Sequence, residues 1–419
     1  MSLFQAAERI SRDGQTLPTM DAVSKPISGL YDLVTNRKSA SGVRVNADNA
    51  ISLSTVFNAL ILLSESVAQL PLSPYIVENE NGVKKRRKFK DDNRYNLVAY
   101  EPNEYMSSDT YRKTVMNHLV RYDRSVSIIE RGPFGEPLSF FPWHPLKYRK
   151  IRDRDGGYVY EFRDAGETFY INEDNVLHNI GYTDNGIEGK SRIDLLFNSL
   201  GNALAIEEYA GQYFGKGINV SGFIKHPKKL KDEKAVDRLK TSFVKKYGGR
   251  NNQFGVGVLE EGSEFEKFET DPEKAQLLQS RMVNAVAVAQ TWNIPVPLLK
   301  YLEKATYNNV EQLDIQFTKY TLNPWLINFE NEYRRKLLTE EEKREGNIYF
   351  KHNVSGLMRG DMESRGKFYE SMGKIGAMTP NKGLELEDME AFEGGDVHLV
   401  PSGYSTVENI NNQQENGDS

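Results

Sequence analysis

Gly189-Lys190-Ser191, ahead of a helix-patterned run, is the nearest thing in this chain to a phosphate-binding loop. Such a loop needs a first glycine five residues before the second, so that backbone N–H groups can close around phosphate oxygens. Position 184 is aspartate, which repels them, so Ser191 reads as a helix cap after a turn. The histidines His118, His144, His178, His226, His352 and His398 are scattered, and none has the His-Glu-x-x-His spacing of a metal site. Asp and Glu are numerous, yet no pair is singled out for acid–base work. These residues therefore point to no catalysis, metal or cofactor, and the informative side chains are the charged ones. Lys84–Lys90 is a basic run beside an Asn81-Gly82 turn, and reads either as a nucleic-acid contact or as a solvated hairpin tip. Lys225, Lys228, Lys229 and Lys231 share a small insert with the acids Glu260, Glu261 and Glu264. Opposite charges of this kind suit a head-to-tail contact between copies, or form two solvated faces.

The elements that must hold these residues follow from composition and pattern. A chain of 419 residues has room for two or three domains. Hydrophobic residues make up 38% and charged residues 27%, a soluble balance. No window reaches the roughly 18 apolar residues of a membrane span, and the N-terminus lacks a signal pattern. With no cysteine there is no disulfide and no thiolate metal site, and a reducing cytoplasm is permitted.

Residues 1–45 lack a sustained period and read as a flexible N-terminal arm. Val56–Leu70 predicts an amphipathic helix ended by Pro71 and Pro74, with a strand from Tyr75. A helix over Tyr111–Tyr122, capped by Ser108 or Asp109, precedes β-like runs at Ser125–Glu130, Leu138–Phe141, Tyr158–Arg163, Thr168–Ile171 and Val176–Ile180. Together they predict an α+β domain over 46–190. Ser191–Gly215 has helical spacing. A small α/β insert follows, with strands near Ser221–Lys225 and Val256–Phe268 around a helix over Asp232–Tyr247. Asp271-Pro272-Glu273 starts a second helix running to about Asn293. Beyond the Ile294-Pro295-Val296-Pro297 turn and a polar loop, a long helix spans Glu311–Leu338, and Glu340–Glu342 reads as a turn. A strand at Asn347–Asn353, a helix at Asp361–Gly373 and a short helix from Thr379-Pro380-Asn381 follow, then a polar, disordered tail. Long helices joined by such a turn and loop have little to pack against inside one globule. They make sense when copies stand side by side.

Over about residues 50–400 the order of short motifs resembles the portal proteins of tailed bacteriophages of the HK97 family. The pieces include Ser66-Val67-Ala68-Gln69-Leu70-Pro71, Glu101-Pro102-Asn103, Phe141-Pro142-Trp143-His144-Pro145, Gly186-Ile187-Glu188-Gly189-Lys190-Ser191, Ile294-Pro295-Val296-Pro297, Thr321-Leu322-Asn323-Pro324 and Gly394-Gly395-Asp396. Two pieces depart: Asp123-Arg124-Ser125-Val126 stands where the family often has Gly-Asn-Ala-Tyr, and Lys382-Gly383 stands where it has Glu-Arg.

The resemblance implies a portal-like α+β fold in a ring oligomer. It makes 46–190 the wing, 191–216 and 271–294 a two-helix stem, 217–270 a small α/β clip and 295–309 a tunnel loop. It makes 310–338 a long wing helix and 339–395 a helical crown, and leaves 396–419 as tail. It implies a non-enzymatic dodecamer at one capsid vertex, assembled in the host cytoplasm and carried in the virion. Its partners would be the terminase large subunit, the major capsid protein, the head–tail connector and double-stranded DNA in the channel, with no membrane. Lys300, Tyr301, Lys304, Tyr307 and Asn308 become the DNA-facing candidates of the tunnel loop, against a plain surface connection. Lys225, Lys228, Lys229, Lys231, Glu260, Glu261 and Glu264 become candidates for contact with terminase or neighbours. A net charge of −5 suits a conduit that DNA slides through better than a tight duplex binder. The rival readings are a self-powered DNA-translocating ATPase and a monomeric structural adaptor.

Overall fold

The computed structural model describes residues 39–80, 82–153, 156–215, 222–225, 237, 241, 264–267, 274–299, 310–354, 362–387 and 389–399. The chain divides into two compact units, one drawn from 1–309 and 316–353, the other from 310–315 and 354–419.

In the first unit, helix α1 (Ser54–Ala68) buries Val56, Leu60, Leu63 and Val67, spaced at three and four residues, and packs on α3 (Ser108–Tyr122). Ser107, not Ser108 or Asp109, caps α3. Its extended backbone lets Oγ accept from Thr110 N. Two antiparallel three-stranded sheets follow. One orders β4 (Pro137–Trp143), β3 (Arg124–Arg131) and β8 (Val176–Ile180); the other orders β5 (Tyr148–Arg152), β6 (Tyr158–Asp164) and β7 (Glu167–Asn172). Their shared core is aromatic: Trp143, Tyr148, Tyr160 and Phe162 are buried with Val126, Ile128 and Val176. His178 sits inside it with Nδ1 2.8 Å from Tyr160 Oη, and burial keeps its pKa well below the usual histidine value.

A third sheet orders β11 (Ile348–His352), β1 (Leu72–Glu80) and β2 (Val83–Lys88), joining the two ends of the unit. Helix α8 (Asn323–Leu337) lies against β8 and β11 and buries Trp325, Leu326, Phe329, Tyr333 and Leu337. Two carboxylates fasten it. Glu332 Oε1 accepts from His178 N at 2.9 Å, and Glu330 accepts from His352 N at 2.9 Å and Lys351 Nζ at 3.0 Å.

Several expectations are corrected here. The predicted long helix is not continuous. Val310–Gln316 (α7) precedes a π-helical segment, Phe317–Leu322, before α8 begins. Nor does it lack a partner within the chain, because α8 supplies much of this unit's core. Lys84–Lys88 is not a hairpin tip but most of strand β2. Glu340–Glu342 is not a plain turn. It opens helix α9 (Glu340–Glu345), held by a capping box between Thr339 and Glu342. The run Ser191–Gly215 is broken at Leu196 into α4 (Arg192–Leu195) and α5 (Phe197–Gly215). Strand β5 and helix α2 (Asn93–Ala99) were not anticipated. The strand at 348–352 belongs to the sheet of β1, within the first unit. The greater part of the N-terminal arm (1–38), the insert helix apart from 237 and 241, and the tail beyond 399 lie outside the described residues.

In the second unit, α10 (Met362–Lys374) and α11 (Pro380–Leu386) are joined by side chains. Thr379 caps α11 through Lys382 N, and Arg365 and Tyr369 both bond Glu387. Buried Asn381 donates to Phe392 O at 2.9 Å and accepts from Phe392 N at 3.0 Å. A Cβ at position 395 would stand 2.3 Å from Asn381 Oδ1, so only glycine fits beside it.

Candidate functional site

Helix α5 packs against α6 (Lys274–Thr291), and α6 also meets α1. On α6, Ala285, Val288 and Ala289 turn inward and are buried, as is Trp292 just past its end, while Met282 (51% exposed), Val283 (63%) and Val286 face solvent on a separate stripe. Helix α1 likewise shows Phe57 and Ile61 outward. An apolar stripe on each of two touching helices is surface without a partner among the described residues.

The root of this helix pair is held by Asp123. The residue ends α3 in the left-handed region (φ 52°) and is fully buried. Its carboxylate accepts from Tyr182 N and Arg192 N, each at 2.8 Å, and faces Arg192 Nε at 3.2 Å; its carbonyl accepts from Gly181 N at 2.7 Å. One side chain thus fastens the end of α3, the exit from β8 and the start of α4. Burial pushes the carboxyl up to about 6, against the downward pull of Arg192. Gly189 passes so close that a Cβ there would stand 1.7 Å from Asp123 O. The Gly189-Lys190-Ser191 segment is therefore a packing turn. Ser191 Oγ accepts from Asp194 N, and Lys190 pairs with Asp184.

At the other end, the turn that closes α6 holds Asn293 in the left-handed region (φ 54°), with Ile294 N returning to Ala289 O at 2.8 Å. Pro324 has no N–H, so the α-type bond to Tyr320 O cannot form, and the helix widens to π geometry just before it. Asn293 Nδ2 donates to that carbonyl at 3.0 Å, and Thr321 Oγ1 donates to Asn293 O. The segment that leaves at Ile294 is thus tied at its base to the helix by which the chain returns. A single 3₁₀ turn, Val296–Leu299, follows, with Leu299 buried. Lys300, Tyr301, Lys304, Tyr307 and Asn308 lie outside the described residues.

Of the insert, β9 (Gly222–Lys225) pairs antiparallel with β10 (Glu264–Lys267), placing Lys225 opposite Glu264 in the register. Lys228, Lys229, Lys231, Glu260 and Glu261 lie outside the described residues. Sequence reasoning missed Asp123, Asn293 and Thr321 as positioning residues. Two signals were available: an Asn directly after the last periodic position of a helix, and a proline four residues beyond a carbonyl that needs a donor. Asp123 gave none, because its partners lie about 60 and 70 residues downstream. No helix among the described residues is long and apolar enough to cross a membrane.

Residues 54–388 match the phage portal protein family. The portal protein of Enterobacteria phage HK97 is 25% identical over 373 residues, covering 88% of this chain and 87% of that one. Among solved structures, an HK97-family portal protein from Corynebacterium diphtheriae superposes with TM-score 0.54 at 16% identity, covering 74% of this chain and 96% of that one. A chain from the neck of a native gene transfer agent particle, computed with C12 symmetry, gives 0.55 at 14% identity, covering 93% and 100%.

Proposed function

The chain belongs to the phage portal protein family, of the HK97 kind, and from that premise we propose that twelve copies close into a ring at one vertex of a capsid. The ring is the channel for DNA during packaging and ejection, and it docks the terminase large subunit, the major capsid protein and the head–tail connector. In this reading 46–190 form the wing, 191–216 and 271–294 the stem, 217–270 the clip that meets terminase, and α8 the helix that packs on the wing sheets. Residues 295–309 form the loop that narrows the bore, and 354–395 the crown, since the strand at 348–352 belongs to the wing. The observation that carries it is the solvent-facing stripe Met282, Val283 and Val286 on α6, beside Phe57 and Ile61 on α1. Packing the flank of one helix pair on its neighbour's removes this apolar surface from water. The twelvefold neck of the similar gene transfer agent structure supports the same subunit number. The work done is steric and electrostatic: the loop root at Asn293 and Thr321 holds the constriction while Lys300 and Lys304 meet passing phosphates.

Electron micrographs of the purified protein, with light scattering, test the proposal. The wild type forms rings, whereas Met282→Asp with Val283→Asp leaves particles near the 47.8 kDa of one chain. A wild type that stays at one-chain mass with scaffold and capsid protein supplied would sink the ring. Lys300→Glu with Lys304→Glu should leave rings intact and impair packaging; unchanged packaging removes the loop from the mechanism.

A further inference from the structure

The β11-β1-β2 sheet sorts its charges by face. Buried Ile348, Phe350 and His352 lie opposite Ile76, Pro74 and Leu72, so that parity faces the core. Arg87 pairs with Ile76 in the register and belongs to the same parity, and its guanidinium grips Glu78 through Nε at 2.9 Å and Nη2 at 2.7 Å. The opposite parity is different. Lys88 lies across from Tyr75, Arg86 from Val77 and Lys84 from Asn79. Tyr75 stacks on Tyr349 at 5.7 Å between centroids, and the Arg86 guanidinium lies 4.8 Å over the Tyr75 ring. No strand position of this parity in the sheet is acidic.

Lys84, Arg86 and Lys88 are exposed, and none has an ion pair among the described residues. Residues two apart on a strand are about 7 Å apart, so the three cations form a single-file row. The row lies on an edge strand, since β2 pairs only with β1 among the described residues.

We propose that this face is a sequence-independent contact for the phosphate backbone of duplex DNA, separate from the loop at 295–309. A duplex carries one charge per roughly 1.7 Å of axis, which offers phosphates along the whole row. The tyrosine pair supplies hydroxyl donors of the kind that hold phosphates without reading bases. An acidic protein surface is the less suited occupant, because lysine is depleted at protein interfaces and two of the three cations are lysines.

The test uses the full-length protein, a duplex of arbitrary sequence and salt from 50 to 200 mM, read by fluorescence anisotropy. Replacing Lys84, Arg86 and Lys88 together by Gln should flatten the dependence of log affinity on log salt by about 2.7, at roughly 0.9 per phosphate released. The same decrement should persist when Lys300 and Lys304 are also Gln, which separates this contact from the loop. Lys113→Gln with Lys382→Gln, exposed lysines already paired with Asp109 and Glu385, is the control and should change little. Circular dichroism checks that each variant is folded. Duplex binding unchanged in the triple variant overturns the proposal. If the triple variant loses only its binding to polyglutamate, the proposal is overturned as well and the face belongs to an acidic protein.

Discussion

The two-sheet core and the α5–α6 helix pair divide the same chain into opposite kinds of surface. In the sheets, Tyr160, Phe140 and Phe162 are wholly buried and each apolar face has a partner within the chain. In the helix pair, one apolar stripe points inward and another, at Met282, Val283 and Val286, points to water. The first region can reach its stable state alone. The second is complete only when something else covers it, so stability and assembly should respond to different substitutions.

The largest separation is expected from Phe162→Ala. Emptying that much aromatic core costs about 3–5 kcal/mol, seen as a lowered denaturation midpoint that does not depend on protein concentration. A stability loss confined to dilute samples would erase the contrast.

Next is Asp123. Its folded-state pKa of about 6 lies above the ordinary 3.8, so the native state binds this proton more tightly than the unfolded chain. The burial penalty is therefore fully present above about pH 6 and fades as the pH falls toward 3.8. Relative to Asp123→Asn, which does not titrate, the wild type should gain about 2.4 kcal/mol between pH 7 and pH 4, at 1.36 kcal/mol per unit. Denaturant midpoints of both proteins across that range measure the difference, and parallel curves would refute the assignment.

Thr321→Val should cost about 1 kcal/mol, the worth of one hydrogen bond. It should speed amide exchange around Asn293 while leaving the sheets unchanged. Smallest in stability is Met282→Asp with Val283→Asp, within about 0.5 kcal/mol for the unassembled chain. A large drop there would mean that the stripe is core after all.

The sheets were legible because alternation and aromatic content mark strands directly, and five of the six strands between residues 124 and 180 follow from them. Strand β5 escaped because Tyr148-Arg149-Lys150-Ile151-Arg152 hides its pattern behind charge: Lys150 is buried, 3.3 Å from Glu173, so a core position carries a cation. The broken helix at 310–338 escaped for another reason. Helical periodicity survives a π segment, and only the missing N–H of Pro324 reveals it. The short motifs that carried the family resemblance turn out to be packing devices: Gly189 against Asp123, Thr321 on Asn293, and Asn381 beside Gly395. Their order was readable, but their partners were not, since each contact depends on a distant residue or on a close approach that a linear pattern cannot express.

The pairing of β1 with β11 also governs when the molecule can mature. Nearly two thirds of the chain lies between these strands, so during synthesis β1 waits with one edge unclosed until residue 352 has left the ribosome. The outward helix stripe is made earlier, at 282–286. Sticky flanks therefore exist before the frame that aims them is shut, and nascent chains crowded on one message risk joining in the wrong order. Slow delivery of the last quarter of the polypeptide would make that hazard worse.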